Sequence, residues 1–142
     1  MKNLKINDAV ISYQSIDDRD ILTLVDAVRA GLKYSFFDAL THNFPFSLNE
    51  WGNFLHLSPR SIQRYKKDKK AFDPIHSEKI LQITLLYKKG EEVFESKEDF
   101  NTWLALENIA LGGRKPKNLL DNAFGIQLLN DELTRIEHGV LV

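Results

Sequence analysis

The stretch from Phe46 to Asp73, FSLNEWGNFLHLSPRSIQRYKKDKKAFD, constrains this chain most. Ser47 and Glu50 have the spacing of a capping box, in which each side chain takes the other's otherwise unpaired backbone N–H. Phe46 before the cap and Trp51 after it fit the hydrophobic staple that fixes the entry of a helix. A helix is therefore expected from Ser47, with Leu48, Trp51 and Leu55 on one face. Gly52 costs about 1 kcal/mol against Ala inside a helix, so its presence predicts a second helix passing close to it. That second helix has its own start signal, Ser58 as N-cap followed by Pro59 at the first helical position. Ile62 and Tyr65 form its apolar side. Arg60, Ser61, Gln63, Arg64 and Lys66 take the rest of its surface.

Two short helices, a three-residue turn, a small residue in the first helix and a polar, cationic second helix resemble a helix-turn-helix. Trp51, Leu55, Leu57, Ile62 and Tyr65 stand where that motif needs apolar residues. His56 departs from it: the turn position is more often Gly, which enters the left-handed region more readily than His. The alternative is an ordinary pair of core helices with a solvated basic face. If the motif binds DNA, the second helix lies in the major groove. Arg60, Ser61, Gln63 and Arg64 are then the candidates for base contact, and Lys66 and Lys67, with Lys69 and Lys70, for phosphate contact.

The charge distribution sharpens this reading. The net charge is −1, which argues against a protein that binds nucleic acid over its whole surface. Residues 58–70 nevertheless carry Arg60, Arg64, Lys66, Lys67, Lys69 and Lys70 against Asp68 alone. One compact basic patch on a mildly acidic body is the footprint of a small DNA-binding module. The acidic run Glu91, Glu92, Glu95, Glu98 and Asp99 reads as a solvated face.

The remaining periods are helical. Ile21, Leu24, Val25, Val28 and Leu32 follow one stripe, with Asp17, Asp18 and Asp20 at its N-terminal end and Gly31 at its close. Ser35 is a possible cap for a helix with Phe36, Phe37 and Leu40 inward. From Ser77, apolar residues through Tyr87 cover more than one face, which predicts a connector helix buried on two sides, with Gly90 ending or bending it. Ser96 caps a further helix carrying Phe100, Trp103 and Leu104. Gly112-Gly113 marks a turn, Pro116 starts a short helix, and Ile126, Leu129, Leu133 and Ile136 form an amphipathic seam that Gly139 stops. Val10, Ile11 and Tyr13 read either as a short extended piece or as an arm. No strand pair stands out, so the expected class is all-α. The expected domains are 1–75, an arm plus the helix-turn-helix, and 76–142.

Trp103-Leu104, Ala110-Leu111-Gly112-Gly113, Pro116, Leu119-Leu120-Asp121, Gly125 and Arg135-Ile136-Glu137-His138-Gly139-Val140 together resemble the toxin-binding C-terminal domain of Xre/MbcA/ParS antitoxins. Ser58 to Tyr65, followed by Ser77-Glu78-Lys79, is similar to the Xre-type DNA-binding half of the same proteins. Lys115 departs from that pattern, where Thr or Ser is more usual, and weakens a helix cap. The resemblance implies the antitoxin of a RES–Xre pair. Such an antitoxin dimerises, covers the active site of a RES-domain toxin that degrades NAD, and represses its own operon through operator duplex DNA. It also implies that the C-terminal end enters the toxin, with Arg135, Glu137, His138, Val140, Leu141 and Val142 at the contact.

An enzyme is not expected. His42, His56, His76 and His138 are scattered, without the spacing of a metal site, and there is no cysteine. Gly112-Gly113 lacks the Lys-Ser/Thr of a phosphate loop, and Glu137 and His138, adjacent on a helix, point apart. No catalytic residue, cofactor or metal is assigned. The first residues lack the apolar run of a signal peptide, and no segment approaches the roughly 20 apolar residues of a membrane span, so a cytoplasmic protein is expected. The alternative to an antitoxin is a stand-alone helix-turn-helix transcriptional regulator.

Overall fold

Side-chain caps set most helix starts in this chain. In the computed structural model, which describes residues 4–6, 9–11, 16–17 and 20–139, Asp20, Ser47, Ser58, Ser96 and Asn122 each accept the backbone N–H three residues on. The helices are α1 (Ile21–Ala30), α2 (Tyr34–Thr41), α3 (Leu48–Leu55), α4 (Pro59–Asp68), α5 (Pro74–Phe94), α6 (Lys97–Ala105) and α7 (Ala123–Glu137), with single 3-10 turns at Ile109–Leu111 and Pro116–Leu119. The expected all-α class holds. One short pair of strands, β1 (Leu4–Ile6) and β2 (Ala9–Ile11), runs antiparallel with Lys5 opposite Val10. Three residues per strand are too few for an alternation to show in the sequence.

The chain divides into two compact units, 1–85 and 86–142, and the division falls inside α5.

In the first unit Trp51 is fully buried. The rings of Phe37, Phe44, Phe46 and Phe54 surround it at centroid distances of 5.2, 5.6, 5.9 and 5.8 Å. The Phe46 contact is the staple expected from sequence. The indole Nε1–H is buried without a hydrogen-bond partner. Such a group costs about 1–3 kcal/mol, and aromatic pairs worth roughly 0.5–1.5 kcal/mol each offset it. Ile62 and Leu55 are buried beside this cluster, whereas Leu48, expected inward, is 51% exposed.

Polar bonding closes the same unit. The Ser77 hydroxyl, wholly buried, accepts the Leu32 N–H at 2.9 Å and donates to the Phe72 carbonyl at 3.3 Å. The Phe72 N–H in turn donates to the Leu32 carbonyl at 2.8 Å. Three bonds thus form a ring that joins the α1–α2 link, the α4–α5 link and the first turns of α5. Gly31 lies against it: a Cβ there would sit 2.4 Å from the Phe72 oxygen, and its φ is 87°.

Several expected helix ends move. Ser35 is not a cap, because α2 starts at Tyr34, which is buried and packs on Phe37 and Phe72. Helix α5 starts at Pro74 rather than near Ser77, since Pro suits a first turn. Gly90 does not end it, since the helix runs on to Phe94. A Cβ there would meet the Phe100 ring at 2.0 Å, so Gly90 makes room for that ring. In α1 only Ala27 is buried; Leu24, Val25 and Val28 are half-buried, and Ile21 and Leu22 are exposed.

In the second unit Phe100, Leu104, Leu111, Leu120, Ile126, Leu129 and Leu133 are buried. Burial pushes the Tyr87 phenol up to about 12, so it stays protonated and donates to Asn101 Oδ1 at 2.6 Å. Gly125 permits the close approach of the turn before α7, since a Cβ there would sit 1.9 Å from the Leu119 carbonyl oxygen.

Replacing Ser77 by Ala leaves the buried Leu32 N–H unpaired. The expected loss is about 1–3 kcal/mol, read as a lowered urea midpoint of the intact chain.

Candidate functional site

Helices α3 and α4 meet as the sequence predicts. The capping box is formed on both sides, with Glu50 N–H to Ser47 Oγ and Ser47 N–H to Glu50 Oε1 each at 3.1 Å. His56 takes the left-handed conformation that ends α3, with φ 57° and ψ 40°. The Leu57 N–H then donates to the Gly52 carbonyl at 2.9 Å. A Cβ on Gly52 would lie 2.7 Å from the Leu57 oxygen and 3.5 Å from Ile62 Cδ1. The turn and α4 therefore depend on this glycine, and α4 presents its surface as it does because nothing separates it from α3 here.

On α4, Ile62 is buried and Tyr65 half-buried, stacked on Phe72 at 4.6 Å. The opposite face carries Arg60, Gln63, Arg64 and Lys67, all exposed, with Lys66 also exposed to one side. Ser61 differs from the other candidates. Its backbone N–H donates to Ser58 Oγ and its hydroxyl oxygen accepts from Ser58 at 3.0 Å, so it is partly committed to the cap. A cleft of about 190 Å³ flanks this face, lined by Leu57, Ser61, Arg64, Tyr65, Asp68 and Lys70. Burial and the Asp73 carboxylate hold the Tyr65 phenol above its usual range against the opposing pull of Arg64. The Lys70 ammonium lies 5.8 Å from the same ring. The arrangement gives an exposed cationic face chemically able to meet phosphates and base edges.

In the second unit the turn at Gly112-Gly113 is closed by Asn108, which exchanges backbone bonds with Gly113 and Arg114 and caps Ala110. Lys115 precedes the Pro116 turn without a side-chain cap bond, as its departure from the family pattern implies. Helix α7 is fixed by Asn122 at its start and by the Lys89 ammonium along its side, which donates to the Asn130 carbonyl at 3.2 Å and to the Thr134 hydroxyl. Leu129 and Leu133 of the seam are fully buried, Ile126 nearly so, and Ile136 is at its exposed edge. Arg135, Glu137 and His138 are all exposed near the end of α7. Arg135 and His138 share a face; Glu137 lies on another. Val140, Leu141 and Val142 lie outside the described residues.

Sequence reasoning passed over one feature. Leu106, Ile109, Phe124 and Leu128 are 60, 96, 89 and 45% exposed. The signal was present in α7: Phe124 and Leu128 are four apart and off the seam of Ile126, Leu129 and Leu133.

Among the described residues no helix is long and apolar enough to cross a membrane, and no group of three or more His, Cys, Asp or Glu side chains comes together.

Two family models match the chain. The Antitoxin Xre-like helix-turn-helix domain covers residues 23–84, and the Antitoxin Xre/MbcA/ParS C-terminal toxin-binding domain covers residues 89–139. The chain belongs to the Xre/MbcA/ParS antitoxin family. It is an antitoxin built of a helix-turn-helix domain and a toxin-binding domain. Among curated relatives, the protein named Antitoxin Xre of Yersinia enterocolitica is 26% identical over 118 residues, which is 82% of this chain and 80% of that one. A chain in the crystal structure of the M. tuberculosis MbcT-MbcA toxin-antitoxin complex has the same fold. It matches with a TM-score of 0.59 and 20% identity, over 77% of this antitoxin and 96% of that chain.

Proposed function

We propose that this antitoxin neutralises a RES-domain, NAD-degrading toxin by covering its active site, and that it represses its own operon by binding operator DNA. The DNA-binding role is assigned to residues 1–75 and the toxin-binding role to residues 76–142, both acting in the cytoplasm. The observation that carries the toxin half is the match of residues 89–139 to a toxin-binding domain, joined to the sequence order GG…P…LLD…G…RIEHGV. The stand-alone regulator leaves that domain without a purpose.

The exposed face of α4 supports the DNA half. Arg60, Gln63 and Arg64 are offered to base edges, where each bidentate contact is worth about 1–3 kcal/mol of discrimination. Lys66 and Lys67 meet phosphates, and Ser61 contributes its remaining hydroxyl proton. Arg60→Ala with Arg64→Ala should abolish preference for the operator upstream of the gene over random duplex in a gel-shift titration. Unchanged preference would remove α4 as the reading helix.

A homodimer suits the reading of palindromic half-sites. The apolar girth of α5 at Ile80–Tyr87 first suggests itself as the contact. Ile80, Leu81, Ile83, Leu86 and Tyr87 are, however, buried within the chain, so these side chains are not on offer to a partner. Light scattering at micromolar concentration should give twice the 16.4 kDa chain mass; a monomer would retire the dimer.

Inhibition is assigned to the segment that follows α7. Val140, Leu141 and Val142 are adjacent apolar residues suited to filling a pocket, and Arg135, Glu137 and His138 stand next to them to pair with charged toxin residues, which mainly sets specificity and on-rate. Deleting Val140–Val142 should leave NAD unprotected in cells carrying the toxin, at equal antitoxin abundance. Full protection by the shortened chain would exclude the plug.

A further inference from the structure

The outer face of α7 is built differently from a solvated helix face. Phe124, Leu128, Asp131, Arg135 and His138 fall on it in one stripe, and all are exposed. Phe124 is 89% and Leu128 45% exposed. Two of the polar members beside them, Asp131 and Arg135, are already paired. Gln127 Nε2 donates to Asp131 Oδ1 at 2.9 Å, and the Arg135 guanidinium lies 3.6 Å from the carboxylate of Glu132, which is itself nearly buried. At the N-terminal end of this face what is offered is apolar: an aromatic ring and a leucine side by side at helical spacing. Large aromatics of this kind, set in a polar rim, are the usual anchors of protein interfaces.

We propose that Phe124 and Leu128 form the anchor by which this antitoxin docks on its toxin, separate from the segment that inhibits it. The proposal rests on the antitoxin reading above and adds to it a division of labour along one helix. The occupant is argued from position. The stripe lies wholly within residues 89–139, the part of the chain that matches a toxin-binding domain. The same stripe also runs on to Arg135 and His138, next to the inhibiting segment. From Phe124 to His138 the helix advances about 21 Å at 1.5 Å per residue. The toxin must then offer an apolar pocket wide enough for a phenyl ring, about 20 Å from the place where it meets His138. Anchor and plug would therefore be energetically separable, since sites farther apart than about 10 Å usually act additively.

The test uses the full-length chain and the RES-domain toxin encoded beside it, measured by calorimetric titration. Phe124→Asp with Leu128→Asp should weaken toxin binding by roughly 30-fold or more, as loss of an interface anchor does, while circular dichroism and operator binding stay as in the parent. Phe124→Ser, without added charge, should weaken binding in the same direction, and Phe124→Leu should restore much of it. Deletion of Val140–Val142 should do the reverse, keeping most of the affinity and losing protection of NAD. Parent-like toxin affinity in both the double variant and Phe124→Ser would overturn the proposal. So would a change confined to self-association, which would make the stripe a face between two copies of this chain. If the parent chain itself fails to bind the toxin, the RES-directed reading falls and the anchor with it. If the parent binds and the variants bind equally, only the anchor falls.

Discussion

The first unit is held shut by three hydrogen bonds passed in a circle among Leu32, Phe72 and Ser77. Each partner belongs to a different segment, and two of the three donors are backbone N–H groups that a loop normally offers to water. Burial removes that option, so the groups must satisfy one another. The aromatic cluster around Trp51 buries apolar surface, but it does not direct where the links between helices run. The ring does. It brings Ala71 and Phe72 back beside Leu32 and Lys33, places the Phe72 ring under Tyr65, and so supports the inner side of α4 while the outer side stays open.

That arrangement explains how a chain of nearly zero net charge can carry a concentrated cationic face. Six cations between Arg60 and Lys70 would repel one another on a floppy segment. Here Pro59 and the Ser58 cap fix the start of the helix, Lys69 closes it in a left-handed conformation, and Lys70 lies over the Tyr65 ring. The helix dipole places Lys66 and Lys67 favourably in the last turn.

Local signals were legible and contact signals were not. Caps and the helix-turn-helix turn depend on residues a few positions apart, so Ser47, Glu50, Ser58, Ser96 and Gly52 could be read directly, whereas His56, a departure from the usual Gly, takes the left-handed conformation all the same. The seam of α7 was equally plain, apart from Ile136, which ends at the edge. Ser77 was misread as a helix start because its partners are 5 and 45 residues away in sequence. Gly90 was misread as a breaker because the ring that needs its space belongs to Phe100, in another helix. For the site, the charged residues of α4 were visible as composition. Phe124 stands outside the seam of Ile126, Leu129 and Leu133, and only its phase relative to that seam reveals that it points away.

The chain has two tryptophans, and they fall one to each unit. Trp51 is fully buried among four phenylalanine rings, while Trp103 is half-buried and rests on Phe94 and Phe100. Their intrinsic emission should therefore differ in wavelength, the first blue-shifted and the second closer to that of hydrated indole. The molecule thereby carries its own pair of optical reporters, one for each half, with no label required to tell which half loosens first when heat, denaturant or a partner acts on it.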